Sequence, residues 1–175
     1  MLVEVKVQSL AMDRTTKTPV VILEEVGGSR LLPIWIGPAE ARAIATEMTD
    51  PNFPRPLTHA LCYSVLKQFG GTVERVIITT VEKSTYYAEL VVHSNGDVLS
   101  FDARPSDSIA IALRARARIF ADDELLEDAT IEFAEEEPSV LSESGSDGRS
   151  ESLDAKELKE LLRGMNPEDF GRFTP

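Results

Sequence analysis

The most constraining feature of this chain is a pair of strand-like segments joined by Asn95-Gly96. Residues 86–93 alternate between two faces, and residues 98–102 resume an extended pattern directly after the turn. Asn-Gly readily adopts the positive φ angles of a type I′ turn, whose twist matches that of antiparallel strands. The sequence therefore predicts a β-hairpin here, and a fold that contains antiparallel sheet.

Several other segments have strand character. Residues 2–10 place three valines on one face, and residues 72–82 are rich in β-branched side chains, which favour strands. Gly27-Gly28 predicts a turn between two apolar runs. We predict further strands at residues 2–10, 19–26, 30–36, 72–82 and 118–121.

A first helix is predicted to begin at Gly37-Pro38, because proline fits the first helical position. Apolar residues at i, i+3, i+4 and i+7 give it one face, formed by Ala41, Ile44, Ala45 and Met48. Most of these side chains are small, so the partner of this face can approach closely.

Two more helices are predicted. The second covers residues 57–69, ends at Gly70-Gly71, and is expected to turn Leu61, Val65 and Leu66 toward the core. The third covers residues 106–117, with Ser106 as its N-cap and with an apolar side made of Ile109, Ala112 and Leu113. Helices interspersed among antiparallel hairpins indicate an α+β fold, in which helices pack on a mixed, largely antiparallel sheet.

Charge is distributed unevenly along the chain. Its 175 residues carry a formal net charge of −12. Residues 1–121 contain 13 acidic and 13 basic side chains, and residues 122–175 contain 17 acidic and 5 basic ones. The excess acidity thus belongs to the C-terminal third, as in solvated or interacting tails. Total charge therefore does not argue against binding of nucleic acid by the body of the protein.

The C-terminal region divides into two parts. Residues 136–152 are dominated by Glu, Ser and Gly, which predicts an acidic flexible linker. Residues 153–175 are predicted to contain an amphipathic helix that needs a partner surface, since Leu158, Leu161, Leu162 and Met165 recur at helical spacing. The predicted domain organisation is a folded body over 1–135, the linker, and this helical tail. We expect deletion of 136–175 to leave the body folded.

Several protein classes are excluded by the sequence. No run approaches the ~20 apolar residues of a membrane span, and the charged start is unlike a signal peptide. One cysteine, Cys62, excludes an internal disulfide and a multi-cysteine metal site, and we expect it to be buried. Phosphate-loop, dinucleotide and zinc-protease motifs are absent. We therefore expect a soluble, cytoplasmic protein.

Two segments carry a family resemblance. Residues 32–44 read LPIWIGPAEARAI and are followed by RPLTH at 55–59; residues 102–114 read DARPSDSIAIALR. In this order and spacing they resemble the bifunctional nuclease (BFN) domain family of bacteria and plants. The resemblance covers about residues 1–135, and the tail looks like that of actinobacterial members. One departure is Ala60, where relatives often carry an acidic residue.

The resemblance implies a compact α+β domain that self-associates, with a dimer favoured. It also implies a nuclease that acts on DNA and RNA. Cleavage of phosphodiesters usually needs a divalent metal such as Mg²⁺ or Mn²⁺, a general base, and cations that bind phosphate. The candidate catalytic residues are His59, Glu40 and Asp107; the candidate metal ligands are Asp102, Asp107 and Glu40; the candidate phosphate-binding residues are Arg55, Arg104 and Arg114.

Each candidate also has a structural interpretation. Asp107 and Glu40 can stabilise the positive ends of their helices. Arg104 can pair with Asp102 or Asp107, and His59 can hydrogen-bond the preceding loop. Arg114, with Arg116 and Arg118, can pair with the acidic segment 122–124. Trp35 is expected in the core or at a subunit interface. The alternative function is therefore a non-catalytic regulatory or assembly module that binds a protein partner.

Overall fold

The computed structural model describes residues 1–13, 15–49 and 53–135, and of residues 130–135 the backbone only. The predicted linker (136–152) and helical tail (153–175) lie outside these residues. In chain order the elements are β1 (Leu2–Met12), β2 (Pro19–Glu25), β3 (Leu31–Trp35), α1 (Pro38–Met48), α2 (Thr58–Gln68), β4 (Gly71–Glu82), β5 (Thr85–Ser94), β6 (Asp97–Ala103), α3 (Pro105–Ala115), β7 (Arg118–Asp122) and α4 (Asp123–Glu135).

The strands form one seven-stranded sheet in the order β3-β2-β1-β7-β4-β5-β6. The contact between β4 and β7 is parallel, and the other neighbours are antiparallel. The predicted α+β class with a mixed, largely antiparallel sheet is therefore confirmed. The hairpin prediction is also confirmed, since Asn95 and Gly96 have φ angles of 53° and 90° and join β5 to β6.

A single hydrophobic core lies between the sheet and the helices. Its sheet side is formed by alternate residues of neighbouring strands, such as Val76, Ile119 and Leu90, which the strand register places on one face. Buried side chains of α1, α3 and α4 complete it. On β5 the intervening residues Glu89 and His93 are exposed. No helix among the described residues is long and apolar enough to cross a membrane.

The inward side of α2 differs from the prediction. Leu66 packs against the core as expected, together with Tyr63 and the buried Ala60. Leu61 and Val65, however, are 52% and 46% exposed. Both sides of this helix are apolar, so sequence periodicity could not decide which one faces the sheet.

The start of α3 also differs. Pro105 occupies the first helical position and Arg104 is the N-cap, so Ser106 lies inside the first turn, where it is buried, and does not cap the helix. The helix ends two residues earlier than predicted, because Arg116 takes a left-handed conformation with φ 55°. Ile109 and Ala112 are fully buried, and Leu113 packs at the margin of the core.

The acidic segment after β7 forms a helix that the sequence analysis did not predict. In α4, Leu125, Leu126 and Ala129 are buried in the core. Arg30 links the helix to β2, because it donates to Asp123 Oδ1 at 2.9 Å and to Glu25 Oε2 at 2.8 Å. Buried apolar side chains and the ion pair of Arg30 with Asp123 thus dock an acidic helix on the core.

The prediction for Cys62 was wrong, and that for Trp35 was wrong as to the core, while its subunit-interface alternative stays a prediction. Cys62 is exposed on α2, because the inward side of that helix is formed by its neighbours. Trp35 is half exposed at the end of β3, where its Nε1 donates to Asp13 Oδ2 at 3.0 Å. The backbone hydrogen bond from Thr16 acts with that bond and with the backbone hydrogen bond from Thr15 to lower the pKa of Asp13 to about 2.

Candidate active site

Three helices present their N-terminal turns to one depression. α1 and α3 begin with the same local pattern, a proline at the first helical position and an acid at the third, which are Pro38 and Glu40 in α1 and Pro105 and Asp107 in α3. The positive end of a helix dipole stabilises an acid at this position. α2 adds His59 from its own first turn. Contacts of α3 with both α1 and α2 bring these turns together.

The side chains form one connected network. His59 Nε2 lies 2.9 Å from Asp107 Oδ1. Arg104 binds the same carboxylate through two bonds, from Nε to Oδ2 at 2.8 Å and from Nη2 to Oδ1 at 3.2 Å. Its Nη1 donates to Glu40 Oε1 at 2.9 Å. Arg104 therefore bridges α1 to α3, and Asp107 bridges α3 to α2.

The network sets the protonation of Asp107. Burial by itself would raise the pKa of this carboxyl, but the hydrogen bonds and charges of Arg104 and His59 outweigh burial and hold the pKa below its ordinary value. The bond to Asp107 in turn raises the pKa of Arg104. Asp107 is thus an anion at neutral pH, and it accepts hydrogen bonds from both neighbours.

The depression beside the network has a volume of about 700 Å³. One wall is a stripe of α1, formed by Ala39, Arg42, Ala43 and Thr46, and another is the start of α2 from Pro56 to His59. Arg42 was missed by the sequence analysis. The signal was available, since these four residues recur at i, i+3, i+4 and i+7 and the first three belong to the recognised segment 32–44.

The other predicted site residues lie elsewhere. Asp102 borders a different depression with Thr80, Glu89 and Ser100, because it stands directly opposite Glu89 and side chains alternate along β6. Arg114 pairs with Glu47 at 3.6 Å, and Arg55 is exposed in the loop just before Pro56. Glu40, His59, Arg104 and Asp107 are therefore brought together, and Asp102, Arg55 and Arg114 do not join them.

A divalent metal does not fit the residues as they are arranged. No group of three or more His, Cys, Asp or Glu side chains within 1–13, 15–49 and 53–135 could hold a metal ion. Glu40 and Asp107 both accept bonds from Arg104, a cation that stands where a shared metal would have to bind. The expected three-carboxylate site with Asp102 is not formed.

The arrangement is suited to transfer of a proton near an anionic group. A carboxylate that binds one ring nitrogen of a histidine fixes the orientation of the ring, while the other nitrogen remains to accept a proton. Arg42 and Arg104 supply positive charge on the same depression. Such a site can bind a phosphate and accept a proton from an attacking nucleophile.

Comparisons with known proteins identify the family of this chain. The family model described as "Bifunctional nuclease domain" matches residues 21–134. An uncharacterized protein of Mycobacterium tuberculosis is 35% identical over 171 residues, which are 95% of this chain and 97% of the relative. Bifunctional nuclease 2 and bifunctional nuclease 1 of Arabidopsis thaliana are 33% and 30% identical over 57% and 58% of this chain, and over 31% and 32% of their own lengths.

Proposed function

Because the chain belongs to the bifunctional nuclease domain family, we propose that it hydrolyses phosphodiester bonds of DNA and RNA at this depression. The observation that carries the proposal is the bond between His59 and Asp107 at the edge of a depression that arginines also line. The names of the plant relatives support the reaction class.

His59 is proposed as the general base. With Nε2 bound to Asp107, its Nδ1 is the nitrogen that would accept a proton from the attacking water. Oxygen of the water would attack phosphorus, the bond to the leaving oxygen would break, and the proton held by His59 would pass to that oxygen. Asp107 would stabilise the imidazolium between these steps.

The two arginines have different proposed roles. Arg104 is already bonded to Glu40 and Asp107, so it acts as a positioning residue that holds the carboxylates of two helices. Arg42 lines the same depression from an exposed position on α1, and it would contact the phosphate. Its guanidinium can bind two phosphate oxygens at once.

An assay with defined conditions tests this proposal. Purified full chain is incubated with single-stranded DNA or RNA in Mg²⁺, in Mn²⁺ or in EDTA, so that any divalent-metal requirement is measured directly. The comparison includes Asp107→Ala and Glu40→Ala variants that retain wild-type circular dichroism. We expect Asp107→Ala to lose about 100-fold or more of the cleavage rate, as for loss of a group that supports acid-base catalysis. Equal rates in all three proteins would contradict the assignment.

The second candidate is a non-catalytic module that binds a protein partner. The observation in its favour is that Arg104 neutralises both carboxylates, as in a structural ion-pair network. This candidate predicts that purified protein cleaves neither nucleic acid in any of the three conditions. It also predicts that Arg42→Ala has no effect on binding of single-stranded nucleic acid.

A further inference from the structure

The outer side of α2 is apolar and uncovered among the described residues. Leu57, Leu61, Val65 and Phe69 recur every four residues and form a continuous stripe that we call the α2 stripe. Phe69 is 80% exposed. A surface helix ordinarily turns one apolar face inward and a polar face outward. Apolar residues on both sides indicate that a second surface packs against this helix.

The neighbouring sheet edge is apolar as well. β6 is the last strand of the sheet, and in the part of the chain that the structure describes it pairs with β5 alone. Val98, Leu99 and Phe101 are exposed along it, and Val98 is 56% exposed. An open edge presents a row of unpaired N–H and C=O groups to another strand.

The opposite edge of the sheet is protected. There, β3 contains Pro33, which has no N–H to donate, and α4 packs against the strand. β6 contains neither proline nor lysine, and its pairing with β5 has no bulge. β6 therefore lacks the proline, lysine and bulge that commonly prevent pairing, and its charged residues, Asp97 and Asp102, lie near the ends of the strand.

Leu99 and Phe101 lie on the same side of the sheet as the α2 stripe, whereas Val98 stands opposite His93 on the other side. Leu99 and Phe101 stand directly opposite Val92 and Leu90, so they extend the core face past its last covered strand. The end of α2 reaches that face at Gly71, where a Cβ would meet the Leu66 carbonyl oxygen at 3.0 Å and Val92 Cγ1 at 3.1 Å. The side chains of the α2 stripe, Leu99 and Phe101 are 43–80% exposed, so together they form an extended apolar patch of the kind that protein interfaces cover.

We propose that a second copy of this chain docks on this surface, with β6 pairing antiparallel to β6 of the copy about a two-fold axis at Ser100. A two-fold axis normal to the sheet keeps the core faces of both copies on one side. It places Leu99 opposite Phe101 of the copy, and Val98 opposite Asp102 of the copy. No like charges face each other in this register, whereas pairing one residue out of phase would place Asp97 opposite Asp102. The α2 stripe is covered in the same association.

The proposal has a consequence for the depression, although it does not rest on the proposed hydrolysis. β6 ends at Ala103, directly before Arg104, and the α2 stripe begins at Leu57, which lines the depression. In the Ser100 register, Asp97 of the copy stands opposite Ala103. The turn between β5 and β6 of each copy would therefore form part of the rim of the other copy's depression.

Sedimentation velocity of the full chain between 1 and 100 μM tests the association. We expect the wild type to form a dimer. Its dissociation constant should rise about tenfold or more in Val98→Asp, because the new acid faces Asp102 of the copy at two symmetric positions. The dissociation constant should not rise in Val98→Lys. Leu61→Glu, on the α2 stripe, should also weaken it. Val26→Glu, at an exposed apolar residue of the turn between β2 and β3, is the matched control and should leave the dimer unchanged.

A cross-link tests the register. In a Cys62→Ser background, Ser100→Cys places two thiols directly opposite each other, at a Cα separation of about 4.5–5.5 Å that suits a disulfide. Oxidised glutathione is the oxidant. We expect covalent dimer from Ser100→Cys and none from Asp97→Cys, whose thiols would be far apart.

Other results would overturn the proposal. A monomeric full chain at 100 μM would do so, as would a dimer that is insensitive to both Val98→Asp and Leu61→Glu. If deletion of 136–175 converted a monomer into a dimer, the chain's own tail would be the occupant of this surface in place of a second copy.

Discussion

His59 Nε2 lies 2.9 Å from Asp107 Oδ1, and this bond joins the first turn of α2 to the first turn of α3 across 48 positions of sequence. The same carboxylate accepts two bonds from Arg104, which reaches on to Glu40 in α1. Asp107 and its bonding partners therefore connect the N-terminal turns of α1, α2 and α3. Both the stability and the proposed chemistry of the protein should therefore depend on Asp107.

Replacing Asp107 with Asn should lower the free energy of unfolding by about 1–2 kcal/mol, because charged hydrogen bonds to a partly buried group are lost. Urea denaturation of the two proteins measures this difference. Asp102→Asn is the matched control, since Asp102 lies outside the network, and it should change stability by less than about 0.5 kcal/mol. Equal effects of the two substitutions would contradict the structural importance of the network.

The contribution of the Asp107 carboxylate to the free energy of unfolding should depend on pH in a defined direction. Its pKa is lower in the folded protein than in the unfolded chain, so its stabilising effect is fully present above the unfolded value of about 3.9. The effect disappears as pH falls through the lowered folded pKa. Unfolding midpoints from pH 7 to pH 3 should therefore converge for wild type and Asp107→Asn at the acidic end. A constant gap between them at every pH would show that Asp107 does not act through its charge.

Arg104 and Glu40 should be only weakly coupled in energy, despite a 2.9 Å bond, because the Arg104 side chain is 65% exposed. A double-mutant cycle with Arg104→Ala and Glu40→Ala should give a coupling of about 1 kcal/mol or less. The cycle between Arg104 and Asp107 should give a larger value, since two bonds join Arg104 to that carboxylate. A larger coupling energy for Arg104 with Glu40 than for Arg104 with Asp107 would contradict this geometry.

Leu126→Ala should destabilise the protein by about 2–5 kcal/mol, because this side chain of α4 is fully buried. Leu61→Ala on α2 removes the same atoms from an exposed position and is the matched comparison. Leu61→Ala should lower the free energy of unfolding much less than Leu126→Ala does. Both variants are measured at submicromolar concentration, where association through the α2 stripe is minimised. Thermal unfolding measures both, and similar losses would show that α4 is not part of the core.

Local sequence information predicted much of the fold. The Asn95-Gly96 turn depends on the backbone preferences of two residues, and the strands follow from alternation, so both were accessible. The inward side of α2 could not be predicted, because two apolar faces satisfy the same periodicity and only packing against the sheet distinguishes them. The helix at Asp123–Glu135 was missed because its acidic composition outweighed three buried apolar residues.

The candidate site was predicted in part for a similar reason. Glu40, His59, Arg104 and Asp107 stand at recognisable segments, but their bonds depend on how α1, α2 and α3 pack, which no local pattern contains. Asp102 is only five residues from Asp107, yet the alternation of β6 directs it to another depression. Proximity in sequence was therefore a poor guide across a boundary between strand and helix.

The rate at which purified protein cleaves labelled single-stranded DNA and RNA, measured for His59→Gln beside His93→Gln, tests the proposed function most directly. His93 is an exposed histidine of β5 that pairs with Glu74 outside the depression, so it controls for loss of an imidazole. We predict that His93→Gln retains the wild-type rate and that His59→Gln loses about 100-fold or more. A His59→Gln protein that remains folded and cleaves at the wild-type rate would contradict the account.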